Sequence, residues 1–335
     1  MGATHVQAIL KNPKLQLAGV CSSDEKKLQG DLSGTGGNLG GEFQALDFSA
    51  VKKFRHWHEV LADREIDAVD ITLPTALHAP VTEAALRAGK HVLVEKPLAL
   101  EGAVADALIV EARKAGRVLM AAQVLRFFPM YRQMADLVKS GQLGAVRSAM
   151  FRRRCAAPGW APWMKDKTKS GGGVFDLLIH DVDFMLHLMG RAPVSVSAVG
   201  AEALEQSVDT ITANFVFEPG LARTGATVTV AGGWHHGAFP FSMEYSVVCE
   251  GGTIDYHLTQ GDPKVYRPGA AEPEALTAPE GVDGFVEELK YFGECCMNGQ
   301  TPEMCPPEES AQAVKLTRTM ADARQAQGAK IACRI

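Results

Sequence analysis

Two short, largely apolar runs constrain the fold of this chain more than any other feature. They span residues 69–73 and 91–94, and each is followed within a few residues by a proline, Pro74 or Pro97. Strands whose apolar character continues along their length, rather than alternating, are typical of a parallel sheet that is covered on both faces. The runs therefore predict two strands of such a sheet.

Strands and helices alternate through the first part of the chain. Helices are predicted at 3–12, 80–89 and 102–115, and further strands at 15–21 and 118–122. This alternation indicates a doubly wound α/β domain, which we place at residues 1–122. A glycine-rich segment at 30–41 follows no strand and lacks the Lys-Ser/Thr ending of a phosphate loop, so it predicts a flexible surface loop.

After Gln123 the pattern changes to strands that follow one another. Strands are predicted at 145–155, 194–201, 209–217, 225–234, 241–250 and 253–258, and helices at 129–140, 171–189, 282–298 and 307–327. Gly251-Gly252 marks a tight hairpin. We expect residues 123–335 to form an α+β domain for substrate binding and oligomerisation, with one large open, mostly antiparallel sheet. The uncovered face of that sheet predicts a homodimer or homotetramer.

Composition and net charge limit the types of protein and partner that are compatible with this chain. The chain has 335 residues, of which 46% are hydrophobic and 22% charged, and its net charge of -5 gives no reason to expect nucleic acid or an anionic membrane as a partner. The basic cluster at 152–154 lies in strand-like sequence and indicates a solvated sheet face. No apolar run approaches the roughly 18–20 residues of a membrane helix. Seven cysteines without C-x-x-C spacing favour reduced thiols in a cytoplasmic protein.

Lys96 lies where a ligand would meet the predicted sheet. In open α/β sheets, ligands bind outside the carboxyl ends of the strands, so 72–75 and 95–97 should share one edge. A proline directly after a strand removes an amide donor and fixes the turn. The Lys96 ammonium would there stabilise a developing alkoxide or relay a proton. The alternative is a solvated loop lysine, which the residue type alone does not distinguish.

Asp176 and His180 form the second candidate pair. They are four residues apart on a predicted helix and therefore share one face. A carboxylate beside a histidine orients the ring and raises its basicity, which suits a general base for a hydroxyl group. The alternative is an ordinary surface pair. Asp183 and His187 continue the same face, but side chains that point along a line do not easily surround a metal ion, so no metal is expected.

Taken in order, these segments resemble the Gfo/Idh/MocA family of oxidoreductases, which includes inositol dehydrogenases and glucose–fructose oxidoreductase. The resemblance covers nearly the whole chain. It rests on Thr-x-Pro-x-x-x-His (72–78), Ala-Gly-Lys-His-Val (88–92), Glu-Lys-Pro-Leu-Ala (95–99), Arg-Phe-Phe-Pro-x-Tyr (126–131) and Gly-Gly-Gly…Asp-x-x-x-His-x-x-Asp (171–183). It implies a Rossmann domain, NAD or NADP as cofactor, and a sugar, polyol or related hydroxyl or carbonyl compound as substrate.

The resemblance also implies a role for each matching residue. Lys96 would sit beside the nicotinamide and the reacting oxygen, His180 would accept the proton in the oxidation direction, and Asp176 would tune it. Trp160 and Trp163 would wall the substrate pocket, with simple packing tryptophans as the alternative. The implied cofactor-binding residues are Gly2, Ser22, Thr72, Leu73, Pro74, His78, Glu95, Lys96 and Arg126.

The sequence departs from the family pattern in two places. The first strand and the first two glycines of the G-x-G-x-x-G turn are absent, and Met1-Gly2 matches only the end of that turn. We expect a start codon assigned too late, with weakened cofactor binding or folding, and a genuine loss of dinucleotide binding is the alternative. Ser22 replaces the acidic residue that holds the ribose hydroxyls, and Lys26 or Lys27 could reach a 2′-phosphate, which leans towards NADP. Asp24 could still serve NAD.

Two other functions are compatible with the same scaffold. One is an NAD-dependent glycosidase, which uses transient oxidation to eliminate a leaving group, and the other is a non-catalytic ligand sensor. Retention of Lys96, Asp176 and His180 together argues against the sensor. The leading prediction is therefore an NAD(P)-dependent dehydrogenase that acts on a sugar-like alcohol, and the sequence does not separate it from the glycosidase.

Overall fold

The computed structural model describes residues 1–33, 44–219 and 225–335. Most of the glycine-rich segment at 30–41 lies outside these residues. The chain divides into two compact units, residues 1–122 with 283–308, and residues 123–282 with 309–335. Residues 283–308, assigned to the C-terminal domain from sequence alone, thus group with the first unit. The reason is packing across a long sequence separation, since Gly293 lies directly against the side chain of Leu15.

Helices and strands alternate along residues 1–122, as the apolar runs predict. The helices are α1 (Gly2–Leu10), α2 (Glu25–Leu28), α3 (Trp57–Ala62), α4 (His78–Arg87) and α5 (Gly102–Ala115), and the strands are β1 (Gly19–Cys21), β2 (Lys52–Phe54), β3 (Ala68–Ile71), β4 (His91–Glu95) and β5 (Leu119–Ala122). All pairings among these strands are parallel, with β1 beside β2 in one sheet and the order β3-β4-β5 in another. Helix α5 ends where Gly116 adopts a left-handed φ of 62°, which glycine tolerates without strain.

The remaining elements follow Gln123. The helices are α6 (Pro129–Lys139), α7 (Lys167–Ser170), α8 (Gly173–Met189), α9 (Gly284–Asn298) and α10 (Pro307–Gln325), and the strands are β6 (Val146–Ala156), β7 (Ser195–Ala203), β8 (Val208–Phe217), β9 (Ala226–His235), β10 (Ser242–Cys249), β11 (Gly252–His257), β12 (Lys264–Tyr266), β13 (Glu274–Ala275) and β14 (Ile331–Ala332). Helix α9 belongs to the first unit. Nine strands form one sheet in the order β13-β12-β11-β10-β6-β9-β8-β7-β14. Its pairs are antiparallel except for β6 with β9.

Burial alternates along the strands of the large sheet, so one face forms a core. On β6, Ala149, Phe151, Arg153 and Cys155 are buried, whereas the residues between them are partly exposed. Helix α8 packs on the buried face, against β6, β8 and β9. The predicted fold class, a Rossmann-type parallel α/β part plus an α+β part with a large open sheet, is confirmed.

The basic cluster at 152–154 divides between the two faces of this sheet. Arg152 and Arg154 pair with Glu244 of the neighbouring strand β10 on the partly exposed face. Arg153 points the other way and is buried, where it pairs with Asp181 of α8. The prediction of a solvated sheet face therefore fails for Arg153, because successive side chains of a strand point to opposite faces. No helix in the described ranges is both long and apolar enough to cross a bilayer.

Candidate functional site

Lys96 is the one partly exposed residue in an otherwise buried stretch of the first unit. Residues 92–95 and 97–99 are all buried. Strand β4 ends at Glu95, and its neighbour β3 runs parallel to it with Ile71 opposite Val94, so the segments that follow both strands leave the same edge of the sheet. The fold thus presents a single long cationic side chain at the edge where parallel sheets bind ligands.

Gly2 and Thr72 meet at this same edge. A Cβ atom added to Gly2 would lie 2.9 Å from the Thr72 Oγ1, so the absence of a side chain lets the start of α1 approach the loop after β3. No side chain in the described ranges caps the first turn of α1. Thr72, Leu73 and Pro74 are all partly exposed. These four residues, predicted to bind cofactor, therefore lie together beside the N-terminal amides of a helix, which favour an anion.

His78 and Glu95 were also predicted to line the cofactor site, which stays a prediction, and the structure buries both side chains against protein partners. His78 is buried, and its Nδ1 and Nε2 each lie 2.8 Å from a backbone carbonyl oxygen, of Pro97 and Leu73 respectively. Donating to both carbonyls would need the imidazolium form. Burial lowers the pKa of His78, and we favour the neutral ring with one donated bond, because both contacts are uncharged. The His78 ring thus lies between the segments that follow β3 and β4 and donates a hydrogen bond to one of them.

Glu95 is buried against His5 of α1, a residue that carried no prediction. The Nε2 of His5 lies 3.2 Å from Glu95 Oε1, and its Nδ1 lies 2.8 and 3.0 Å from the two carboxylate oxygens of Asp70 on β3. Burial opposes charge on both partners, yet the two carboxylates raise the pKa of His5 well above 6.5. Despite the same burial, His5 and Lys96 lower the pKa of Glu95 to about 2. The Glu95 Oε2 also accepts a hydrogen bond from the backbone N–H of Lys96 at 3.1 Å.

Ser22 follows β1, and its side chain is engaged locally. Its Oγ accepts a hydrogen bond from the Asp24 N–H at 3.1 Å, and Asp24 in turn caps α2 by accepting from the Lys26 N–H at 3.0 Å. The side chain of Lys26 is on the exposed surface. The segment therefore offers an exposed cation and an aspartate that already serves as a helix cap.

Helix α8 of the second unit is almost wholly buried. Every residue from Gly173 to Met189 is buried except Asp176, His180 and His187. Lys139 donates a hydrogen bond to His187 Nε2 at 2.8 Å, and burial, with the charges of Arg126 and Lys139, lowers the pKa of His187 to about 3. Asp176 and His180 are thus the two residues of the core helix that remain partly exposed near its N-terminus.

Two buried contacts fix the start of α8. Asp209 of β8 accepts a hydrogen bond from the Val174 N–H at 3.0 Å, and Arg324 holds its other oxygen at 2.5 Å. On the opposite side Trp234, which is fully buried, packs directly on Gly173. Neither Asp209 nor Arg324 was identified from sequence, because they are 115 residues apart and lie at element ends with no motif.

Arg126 was predicted to bind cofactor, which stays a prediction, and in the structure two carboxylates engage its guanidinium. The side chain is buried, with Nε and Nη2 lying 2.8 and 2.7 Å from the carboxylate of Asp183 and Nη1 lying 2.6 Å from Glu309. A guanidinium held by two carboxylates in the core is fully engaged within the second unit. Asp183 is therefore a structural partner of Arg126 rather than a candidate ligand.

The tryptophans predicted to wall a substrate pocket lie in an irregular segment. Trp160 is 52% exposed, and Trp163 is partly exposed in the 3-10 turn Pro162–Lys165. Their role stays a prediction, as do the roles of Lys96 and His180. In the part of the chain that the structure describes, no group of three His, Cys, Asp or Glu side chains could hold a metal ion.

The chain belongs to the Gfo/Idh/MocA family of oxidoreductases. A model described as the oxidoreductase family with an NAD-binding Rossmann fold matches residues 1–123, and a model of the Gfo/Idh/MocA C-terminal domain matches residues 131–255. The resemblance drawn from the sequence motifs is thereby confirmed.

Three known proteins illustrate the relationship. A 1,5-anhydro-D-fructose reductase of Ensifer adhaerens is 34% identical over 158 residues, which are 45% of this chain, and the chain spans about half of its length, 47%. A dTDP-3,4-didehydro-2,6-dideoxy-alpha-D-glucose 3-reductase of Streptomyces violaceoruber is 31% identical over 70% of both chains. The crystal structure of an aldose–aldose oxidoreductase from Caulobacter crescentus, complexed with glycerol, matches with a TM-score of 0.80 at 23% identity over 97% of this chain and 94% of that one. At that identity the match shows a shared fold.

Proposed function

We propose that this protein is an NAD(P)-dependent dehydrogenase that transfers a hydride between a nicotinamide cofactor and a sugar, a polyol or a related hydroxyl or carbonyl compound. The observation that carries the proposal is a contrast in burial. Lys96 is the partly exposed residue of a buried strand end, and Asp176 and His180 are partly exposed near the N-terminus of a helix that is otherwise buried apart from His187. Burying neighbours while leaving ionisable groups accessible is typical of a reaction site.

The residues at the edge of the first unit fit a dinucleotide. The absence of a side chain at Gly2 lets the start of α1 approach Thr72 closely, and the backbone amides of that helix start suit a pyrophosphate. Thr72, Leu73 and Pro74 would line the same rim, and Ser22 would lie near the adenosine ribose. Asp24 is engaged as a cap of α2 while Lys26 is exposed, which supports a preference for NADP over NAD.

In the proposed reaction, His180 accepts the proton of the substrate hydroxyl and Asp176 orients its imidazole. The Lys96 ammonium stabilises the negative charge that develops on the same oxygen. When bound, the nicotinamide supplies the hydride acceptor. The proposal requires Lys96 and His180 to act on one substrate molecule, and in reduction their roles run in reverse.

Relatives support the substrate class. The two reductases named above act, by name, on an anhydro sugar and on a nucleotide-linked sugar. They favour sugar oxidoreduction over the glycosidase and ligand-sensor alternatives. We keep a cytoplasmic location as a prediction from the cysteine pattern.

We also propose a homodimer or homotetramer built through the open sheet. Along β8 the residues that alternate with the core, Thr212 and Asn214, are exposed, and Val199 of β7 is 55% exposed. A broad sheet face with exposed valine suits a symmetric partner. Light scattering of the purified chain tests this, and a monomer at micromolar concentration would contradict it.

The experiment for the proposed function is a cofactor and substrate screen with matched variants. Binding of NAD, NADH, NADP and NADPH is measured by calorimetry, and turnover of a sugar and polyol panel by nicotinamide absorbance. Lys96→Ala or His180→Ala should lower kcat by about 10²–10⁴-fold, the scale of general acid–base groups. Lys114→Ala, which is exposed in the same unit as Lys96, and His187→Gln, on the same helix as His180, are the controls. Wild-type turnover in either site variant would refute the assigned roles.

A further inference from the structure

His5 stands between two carboxylates that belong to different strands. It is 1% exposed, lies on α1, and its two ring nitrogens face Asp70 of β3 and Glu95 of β4. Nδ1 is hydrogen-bonded to Asp70, whereas Nε2 contacts Glu95 as an ion pair without hydrogen-bond geometry. An ionised carboxylate beside each nitrogen favours a ring in which both nitrogens carry a hydrogen. The geometry therefore calls for an imidazolium, and the raised pKa of His5 agrees with it.

Burying ionised groups in this way carries a desolvation cost that apolar packing would avoid. Glu95 and an imidazolium at His5 lose their hydration on burial, whereas Asp70 stays partly exposed, and packing a helix on a sheet is ordinarily achieved with apolar residues. His5 contacts no solvent and so does not itself bind a ligand. Its other ring neighbour is Phe285 of α9, at 6.1 Å between centroids.

The cluster ends at the candidate catalytic lysine. Glu95 uses Oε1 for His5 and Oε2 for the backbone N–H of Lys96, so the orientation of this carboxylate sets the position of the turn that carries Lys96. The charged groups near it are His5, Lys96 and the Met1 amino group, with Asp70 beyond the ring. An ionised Glu95 accepts the amide hydrogen bond strongly, whereas a neutral one accepts it weakly.

We propose that His5 is a positioning residue: as an imidazolium held by Asp70, it keeps Glu95 ionised and turned onto the Lys96 amide, which fixes Lys96 for reaction. This inference rests on the proposed function for the role of Lys96. The state of His5 is independent of turnover, which keeps the two proposals separable.

The first measurement is ¹⁵N NMR of histidine side chains in the full chain from pH 5 to 9. The His5 signal is identified by its loss in His5→Gln, or by its shift in Asp70→Asn if the first variant does not fold. Both ring nitrogens should remain protonated at pH values well above the ordinary titration range of histidine. A ring that titrates near its ordinary value would overturn the proposal.

The second measurement is the pH profile of kcat and of KM in the variants. Without the imidazolium, burial raises the pKa of Glu95, so His5→Gln should lower kcat by about tenfold and move the acid limb of kcat up by at least about one pH unit. The double variant His5→Gln/Glu95→Gln should lack the shifted acid limb of kcat, because the Glu95 carboxyl that titrates there is absent. His58→Gln, an exposed histidine of α3, is the control.

The outcomes separate the alternatives. A variant that is only less thermostable, with an unmoved acid limb, would overturn the positioning role. A shifted limb that Glu95→Gln abolishes would establish it. A wild-type protein with imidazolium His5 but no turnover on the whole panel would refute the proposed function while supporting the ion cluster.

Discussion

Replacing Gly173 by alanine should destabilise the protein, although alanine is the better helix former. Gly173 is the first residue of α8, and a Cβ atom there would lie 2.4 Å from Cδ2 and 2.6 Å from Cγ of the Trp234 indole. These distances are far below van der Waals contact. Trp234 is fully buried in a cluster with Cys155 and Leu177, so its ring has no room to move aside.

Two effects of opposite sign determine how much Gly173→Ala changes the free energy of unfolding. Alanine is favoured over glycine in a helix by about 1 kcal/mol, whereas forcing an extra methyl group into a packed core costs about 1–3 kcal/mol. The unfolding free energy should therefore fall by about 0–2 kcal/mol, and the thermal midpoint by about 2–4 °C for each kcal/mol. If α8 shifts instead of Trp234, Asp176 and His180 move with it, and about 1 Å of misplacement can cost on the order of 10²-fold in kcat.

Calorimetry and kcat on the same preparations test this reasoning. Gly159→Ala is the matched control, since a Cβ atom there meets nothing within 4 Å and its φ lies outside the left-handed region. Trp234→Leu should lessen the penalty of Gly173→Ala, giving a coupling energy of about 0.5–3 kcal/mol in a double-mutant cycle. A Gly173→Ala protein as stable as wild type, with no coupling to Trp234, would show that the close packing does not exist.

Three further predictions follow from other parts of the chain. Arg153→Met should cost about 3–5 kcal/mol in chemical denaturation, because it leaves Asp181 buried without its cation, and adding Asp181→Leu should recover much of that loss; independent effects would contradict the pairing. Lys26→Ala should weaken NADP binding more than NAD binding in calorimetry, and equal weakening would remove the preference for NADP. The stabilisation that ionised Glu95 contributes is present above its ordinary pKa of 4.5 and is lost as the pH falls towards about 2. The stabilisation that protonated His5 contributes is complete below pH 6.5 and is lost as the pH rises through the higher pKa of His5 in the folded protein. Between about pH 6.5 and 9 the thermal midpoint should therefore drop less in His5→Gln than in wild type. Parallel curves of thermal midpoint against pH for the two proteins would contradict the ion cluster of His5, Asp70 and Glu95.

Local periodicity was enough to predict most of the elements. The expected helix at 102–115 is α5 with the same bounds, and the glycine pair at 251–252 does fall at the turn from β10 to β11, with Gly252 as the first residue of β11. Strand β1 is shorter than its apolar run, since it covers Gly19–Cys21 of the expected 15–21. Leu15, at the start of that run, packs on α9 instead, a contact that no local pattern encodes.

The residues of the candidate site likewise fall into those that a local sequence signal marks and those that only tertiary contacts reveal. Lys96, Asp176 and His180 were predicted because residue type, a following proline or an i,i+4 spacing marks them locally, and their roles stay predictions. His5 and Asp70 were missed because they are 65 residues apart, and each alone is an ordinary helix or strand residue. One signal was available, since an aspartate inside an otherwise apolar strand needs a buried partner. His78 and Arg126 were assigned to the cofactor by motif alone, and only tertiary contacts reveal the carbonyls and carboxylates that engage them.

Helix α8 carries three aspartates and two histidines, which differ in burial and in their hydrogen-bond partners. Asp181 and Asp183 are fully buried, and each receives two hydrogen bonds from a buried arginine, as a buried carboxylate requires. His187 accepts from Lys139 and stays neutral because its pKa is low. Asp176 and His180 instead keep partial exposure on a helix whose other faces are packed. Because His187 is partly exposed as well, burial alone does not separate functional from structural residues on this helix. A buried arginine partner does identify Asp181 and Asp183 as structural, whereas the roles of Asp176 and His180 stay predictions.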